Sequence, residues 1–526
     1  MSVRNAIVLF LALSTLALLV GCGGSSSPPT NQVGFTVGSL SGTYVFSTTG
    51  VDSNGVFLAL AGTLMADGKG GISQGTMDVV GAEVILQSPV AQGITGSYTI
   101  GSDGRGQATI SSPAGRFILD LVLTSSSHGL ITEYDSNGSG SGTIDLQTAL
   151  TGLSQLAGSY AFSLAGLDNS GNPIATAGSV ALDNSGDVSG GVQDVNDDGF
   201  PYPGLNILPA AGAVTLGSGT GPGSIAISTG TFGTFTFDYY PIDATHLKLI
   251  ETDDIQFLAG DAFTQTGASI PQGNMVFTVA GIGSSGAIAA GGLMTSDGTG
   301  NFPSGLEDVN NGGNISPAQI PFSGVLDAAA SGPVGGRVVV NMSTFVPAIQ
   351  YVMYPSSAGV LMLETDSLAI TTGTAVAQTS TTLAATNYGF NLSATNISEV
   401  SSGGPPFEED DIAQFLTTTS SFTGVVDIND EGSITPPQAL SGSFPNSPPV
   451  DATGRGIATT TNFASFVFYV ANDSTVLLVE TDTNQIGAGT FETQSTPGAK
   501  AAVSRVTSVV HPAVRLHSDL RRSTKH

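Results

Sequence analysis

Leu40-Ser41-Gly42-Thr43-Tyr44-Val45-Phe46 opens a stretch of alternating apolar and small polar residues, and the chain returns to this pattern three times. The later copies are Leu156-Ala157-Gly158-Ser159-Tyr160-Ala161-Phe162, Pro271-Gln272-Gly273-Asn274-Met275-Val276-Phe277 and Ala384-Ala385-Thr386-Asn387-Tyr388-Gly389-Phe390. Their phenylalanines stand 116, 115 and 113 residues apart. A second landmark keeps the same phase. Apolar runs end in Glu133-Tyr134-Asp135, Glu251-Thr252-Asp253, Glu364-Thr365-Asp366 and Glu480-Thr481-Asp482, at intervals of 118, 113 and 116 residues. Two landmarks in step define a repeat of about 113 residues, too long for a solenoid coil of roughly 20 to 50 and long enough for a domain. Four β units are expected, at 40-148, 156-267, 271-379 and 383-495.

Within a unit, strand signals alternate with turn signals at the roughly 8 to 12 residue spacing of all-β domains. In the first unit Asp52-Ser53-Asn54-Gly55, Asp67-Gly68-Lys69-Gly70 and Asp103-Gly104 divide about eight candidate strands. Asp-Gly and Asn-Gly supply the positive φ of tight hairpins, so neighbouring strands are expected to be antiparallel and joined as a meander. An open sheet of that size leaves two exposed edges, and closing it into a barrel removes them. The fold expected is therefore all-β: four small eight-stranded antiparallel barrels in a row. Two architectures compete. Gly96-Ser97-Tyr98 echoes Gly42-Thr43-Tyr44 after 54 residues, as half units forming an eight-bladed propeller would, and β-sandwiches are the other option. The opening Gly-x-Tyr-x-Phe, followed by an Asp-Gly-x-Gly hairpin, resembles avidin-like and lipocalin-like β-barrels over about a tenth of each unit. That resemblance implies a barrel and carries no ligand with it, because Tyr or Met replaces the tryptophan of those openings.

The start of the chain has a different character. Arg4 and an apolar run over 6–20 lead into Leu19-Val20-Gly21-Cys22, which resembles the lipobox of bacterial lipoproteins. The charged start, short apolar stretch and small residue before the cut have the form of a secretory signal, and the run is shorter than the roughly 20 residues a spanning helix needs. Cys22 is the only cysteine, so no internal disulfide forms, and the resemblance implies that this thiol carries lipid such as palmitate. Residues 1-21 are expected as a lipoprotein signal peptide, 22-39 as a flexible Gly/Ser/Pro tether and 496-526 as a basic, disordered tail. Gly23 and Gly24 after the cysteine resemble outer-membrane sorting in Gram-negative bacteria. The expected location is the cell envelope, on the outer membrane or cell surface if the host is Gram-negative.

Residues 22–496 carry six Lys or Arg against forty Asp or Glu. A body this acidic repels phosphate backbones, which excludes nucleic acid as a partner and leaves membrane contact to the lipid on Cys22. An envelope or extracellular partner is expected without its chemistry being legible.

Three patterns bear on chemistry. Asp194-Val195-Asn196-Asp197-Asp198-Gly199 opens like a calcium loop, with oxygen ligands at alternate positions, and Asp308-Val309-Asn310 and Asp427-Ile428-Asn429 recur in phase. Its twelfth position is Leu205 instead of a bidentate Glu, so an Asx-rich turn is expected in preference to a calcium site at Asp194, Asn196 and Asp198. No cofactor is expected. Glu133/Asp135, Glu251/Asp253, Glu364/Asp366 and Glu480/Asp482 place two carboxylates on one face of a strand, about 6.5 to 7 Å apart. Inverting glycosidases use such spacing, but four copies at strand ends favour a structural repeat motif that caps a turn or bonds the next hairpin. Gly71-Ile72-Ser73-Gln74-Gly75 lacks the strand-to-helix turn of a hydrolase elbow, and His128 and His246 read as unrelated surface residues beside turns. The run Glu408-Glu409-Asp410-Asp411 reads as part of a solvated insertion over 401–411. The function expected is a non-enzymatic binding or structural module. The alternatives are a glycan-active enzyme using a Glu-x-Asp pair and a carrier of a small apolar ligand inside the barrels.

Overall fold

The computed structural model describes residues 33–81, 91–253, 256–265, 267, 269–316, 319–332, 334–343, 348–400, 406–461 and 464–495. Cys22, the signal segment 1-21, most of the tether and the tail 496-526 lie outside the described residues. Each repeat is a closed antiparallel meander of eight strands. In the fourth, Asn387–Asn396, Phe407–Thr417, Ser421–Asp430, Ser433–Ser443, Arg455–Thr460, Ser465–Val470, Thr475–Glu480 and Gln485–Thr493 pair in order, and the last returns to the first with Phe390 opposite Phe491. The first three units pair in the same way and add one short strand each. Sandwiches and a propeller are thereby excluded, since every unit closes on itself.

Local chemistry accounts for the meander. In the first hairpin Asp52 accepts hydrogen bonds from the backbone N–H groups of Asn54 and Val56 at 2.8 and 3.0 Å, while Gly55 takes φ 72°. A side-chain oxygen thus replaces the backbone partners the turn loses, and glycine adopts the left-handed conformation without strain. Strand periodicity then sends alternate residues inward. Phe46, Leu60, Leu119 and Ile131 fill the first lumen, and Phe162, Phe237 and Leu249 the second. Each such side chain contributes about 1.5–3 kcal/mol on burial.

The outward residues of these strands are buried too, because the barrels pack on one another. Val45, Phe57 and Ala59 of barrel one meet Tyr240, Ile250 and Ala259 of barrel two. Ala161 and Ala175 of barrel two meet Val352 and Leu361 of barrel three, and Ala280 and Ala289 of barrel three meet Val479 and Ile486 of barrel four. Barrel four then returns to barrel one, with Ile412 against Val122 and Leu130. The units therefore form a closed ring instead of the expected row. Head-to-tail contacts between like bodies either extend indefinitely or close, and here the rotation closes after four.

Two boundaries differ from expectation for the same reason. The tether ends before residue 33, since Phe35 is 2% exposed inside barrel one and Val33 N–H bonds Ser102 O at 2.9 Å. Residues 401–405 lie outside the described residues, but Glu408 to Asp411 belong to the strand Phe407–Thr417 and are buried, not solvated. Asp410 accepts from Ser139 and Ser141 of barrel one at 2.6 Å each. Ring closure covers Asp410, and strand alternation turns Glu409 and Asp411 into the interior of barrel four near Glu480, so a run whose composition looks like surface is buried on both faces.

Candidate functional site

The two repeated motifs singled out from the sequence meet each other across the seams between barrels. Asp194 and Asn196 lie on the strand Val188–Asp197, not in a turn; only Asp198, at φ 51°, begins one. Asn196 directs its amide to the carbonyls of Glu364, Asp366 and Ala369 in barrel three, at 3.0, 3.1 and 3.0 Å. Asn310 does the same to Glu480, Asp482 and Gln485 of barrel four. Asn429 reaches Glu133 and Gly138 of barrel one, both at 2.7 Å. The backbone around three of the four Glu-x-Asp turns, those of barrels three, four and one, is thus a socket for the asparagine of the preceding barrel.

The aspartate two residues earlier anchors the same seam. Asp194 binds the Arg337 guanidinium through both oxygens, at 2.7 and 2.6 Å, and also accepts from Tyr354 and from Gly204 N–H. Asp308 receives Arg455 at 2.8 Å twice and Tyr469. Asp427 pairs with Arg105 at 2.5 Å. With arginine on both its oxygens, Asp194 offers no free site to a cation, and the residues weighed as calcium ligands do not form one. The seam between barrels one and two departs from the pattern. Val80 replaces the asparagine, and the fifth strand opens on Gly223, where the other barrels carry arginine. Asp78 accepts from Tyr240 at 2.5 Å and faces Asp238. Burial raises the Asp78 carboxyl; burial and then Asp78 push Asp238 up to about 7.

A third device escaped the sequence reading. Gln147, Gln265, Gln378 and Gln494 follow the last strand of each unit and bond carbonyls of the next barrel: Pro241 at 2.9 Å, Gly335 at 2.7 Å, Val470 at 2.9 Å, and Leu123 at 2.8 Å from barrel four back to barrel one. Their spacing of 118, 113 and 116 residues was a signal for them. So was the position of Arg105, Arg337 and Arg455, half of the Lys and Arg in residues 22–496, which open the fifth strand or, for Arg337, immediately precede it.

Within each Glu-x-Asp pair the roles divide. The aspartates hold neighbouring backbone: Asp135 accepts from Ile118 N–H at 2.6 Å, Asp253 from Thr236 at 2.5 Å, Asp366 from Gln350 at 2.7 Å and Asp482 from Asn484 at 2.8 Å. The glutamates point into the lumen and are at most 2% exposed. Burial, followed by the adjacent aspartate, raises the Glu133, Glu251 and Glu480 carboxyls well above their ordinary range. Ser73 lies within the strand Gly71–Gly81, without an elbow. His128 and His246 are buried, not superficial, and each stands five residues before its unit's glutamate. His128 lies 2.7 Å from Asp145 and 3.0 Å from Glu492 of barrel four; these carboxylates outweigh burial and raise it. His246 lies 2.7 Å from Asp261, which also holds Lys248 at 2.8 Å, and burial lowers it.

The lumen of barrel three is not filled. Barrel four packs seven phenylalanines inside, whereas barrel three has three, with Met275, Met294, Met342, Met353 and Met362 in place of further rings. Slender thioethers leave a cavity of about 430 Å³. Phe277, Val279, Ile320 and Met362 line it, with Ser284 and Leu368 in turns and Asn314 in the short strand Asn314–Ile315 at one end. Two of its polar groups, Tyr351 and Glu307, are peculiar to this unit, whereas Glu364 has a counterpart in each of the others. Tyr351 stands where Leu119, Phe237 and Phe466 face the glutamates of the other barrels. Glu307 precedes the seam aspartate where the others have Met77, Gln193 and Val426. The Tyr351 hydroxyl lies 3.1 Å from Thr371 Oγ1, which donates to Glu364 at 2.7 Å. Burial, with Asp366 beside it, pushes Glu364 up to about 8. A concave apolar wall with a few convergent polar groups is the usual form of a small-molecule site.

No known family profile matches the chain, and no curated protein does. Among solved structures, kievitone hydratase from Nectria haematococca is similar at 10% identity, over 65% of this chain and 92% of that one, with a TM-score of 0.16. A superposition of that quality assigns neither fold nor chemistry to this chain.

Proposed function

We propose that this is an exported protein, held at a bacterial cell envelope by lipid on Cys22, whose ring of barrels acts as a non-enzymatic binding module with barrel three as the compartment for a small apolar ligand. The cavity in that barrel carries the reading: its wall is mostly apolar and carries Tyr351 and Glu307 at positions where the other barrels have different residues. Export and anchoring rest on the leader and its lipobox-like end. Glycan hydrolysis is disfavoured, because a polysaccharide does not reach glutamates buried as deeply as Glu133, Glu251 and Glu480, and their aspartates are engaged with backbone. Two measurements test the proposal. A fatty-acid probe should label the protein in cells and fail to label the Cys22→Ser variant. Native mass spectrometry of gently extracted protein should show an apolar adduct that is lost when Ala290→Phe fills the lumen of barrel three. Labelling of Cys22→Ser, or an adduct indifferent to Ala290→Phe, would refute the corresponding half.

A further inference from the structure

We propose that the compartment in barrel three selects an apolar alcohol, its hydroxyl bonded to Tyr351 beside Thr371 and Glu364 and its hydrocarbon part among Phe277, Met294 and Met362. The inference rests on reading barrel three as a ligand compartment. Two hydroxyls that occur together carry it. Tyr351 pairs with Glu364 from the neighbouring strand, at the position held by Leu119, Phe237 and Phe466 in the other barrels. Thr371 lies on the strand at the other side of Glu364 and pairs with the residue four places after Phe277. The same place in the other units is held by Gly140, Leu258 and Gly487. Neither position has a polar side chain elsewhere. The glutamate common to all four units is thus flanked by these two hydroxyls only in barrel three, where both line the cavity.

Hydrogen-bond direction decides the headgroup. Thr371 donates to Glu364 at 2.7 Å, so towards Tyr351, 3.1 Å away, it can only accept. The phenol therefore gives its proton to Thr371 and keeps lone pairs for the lumen, or turns the proton to the lumen itself. A ligand hydroxyl, donor and acceptor at once, is satisfied in both arrangements. The three groups are uncharged at neutral pH, since burial, with Asp366 beside it, pushes Glu364 up to about 8. A carboxylate would enter a wall that contains Glu307 and Glu364 and, among the described residues, no Lys, Arg or His, an arrangement that desolvation heavily penalises. An ammonium group donates but cannot accept, and it too loses its hydration. Leu368 lines the cavity and is 39% exposed, so the space reaches the surface beside the turn that follows Glu364, and the hydrocarbon part lies farther in.

The full-length protein is loaded with diphenylhexatriene, a hydrocarbon dye that makes no hydrogen bonds and so reports on the compartment itself. The dye is then displaced at neutral pH by decanol, decanoate or decylamine. Decanol should act at about tenfold lower concentration than decanoate, and below decylamine as well. Tyr351→Phe should weaken decanol by about three- to tenfold, the loss of one hydrogen bond, and leave dye affinity within about twofold, which also checks folding. Displacement by decanoate or decylamine at lower concentration than decanol, or decanol binding indifferent to Tyr351→Phe, would overturn the proposal. Failure of the dye to bind in an Ala290-dependent way would instead remove the compartment, and the alcohol proposal with it.

Discussion

Asn429 in barrel four donates to the carbonyl of Glu133 in barrel one at 2.7 Å, across 296 residues of chain. It repeats the bonds of Asn196 and Asn310 at the two preceding seams and closes the ring. The bond satisfies a buried carbonyl that a free barrel end would leave to water.

Asn429→Ala is therefore expected to destabilise the protein by about 1–3 kcal/mol, the cost of buried acceptors left unpaired. Denaturant unfolding measures the loss, and limited proteolysis should show earlier cutting in barrels one and four. A row of independent barrels would show no change.

Arg455→Met leaves the Asp308 carboxylate, only 4% exposed, with Tyr469 as its remaining side-chain donor. A loss of about 3–5 kcal/mol is expected, as for a broken buried pair. Asp308→Asn in the same molecule should restore a large part of it, and the double-mutant cycle measures the coupling.

Stability should fall as pH rises. Burial pushes Asp120 and Asp238 up to about 7, Glu364 and Glu409 to about 8 and Asp410 to about 6. These raised carboxyls keep protons that the unfolded chain releases near pH 4, so their contribution is complete below that and is lost as pH climbs through about 6 to 8. The melting temperature should be higher at about pH 5.5 than at about pH 8.5. A flat or rising profile would contradict the burial of these groups.

Barrel two expressed alone as residues 156-267 should fold less stably than within the ring. It would expose Ala161, Ala175, Phe263, Tyr240 and Ile250, which the neighbouring barrels cover, and leave Asp194 without Arg337. Calorimetry and light scattering compare the two. A fragment as stable as the whole, and monomeric, would show that the seams contribute little.

Much of each barrel was legible because its determinants are local. The phase of Phe46, Phe162, Phe277 and Phe390 counts units, and Asp-Gly and Asn-Gly turns set antiparallel neighbours through backbone preferences that act over a few residues. Glu-x-Asp was visible as a repeat; Asp135, Asp253 and Asp366 accept from the neighbouring strand, and Asp482 from its own turn. The partners of Asp194 and Asn196 were not legible: an Asp-x-Asn run has the same appearance whether it turns a loop, binds an ion or plugs the next barrel. Glu408 to Asp411 misled for a related reason. Four acidic residues in a row look solvated unless serines from a barrel 269 residues away are known to meet them.

The sequence by itself determined an all-β chain of four like units with antiparallel neighbours, since hydrophobic alternation and turn chemistry are read from neighbouring residues. Closure of each unit into a barrel was chosen over a sandwich or a propeller only by the tertiary pairing of last strand with first. Only the tertiary structure decided that the barrels form a ring and that the third is hollow. The angle at which one barrel meets the next comes from the summed fit of faces far apart in the chain. A lumen is filled or empty according to the combined volume of eight strands, which no single residue records.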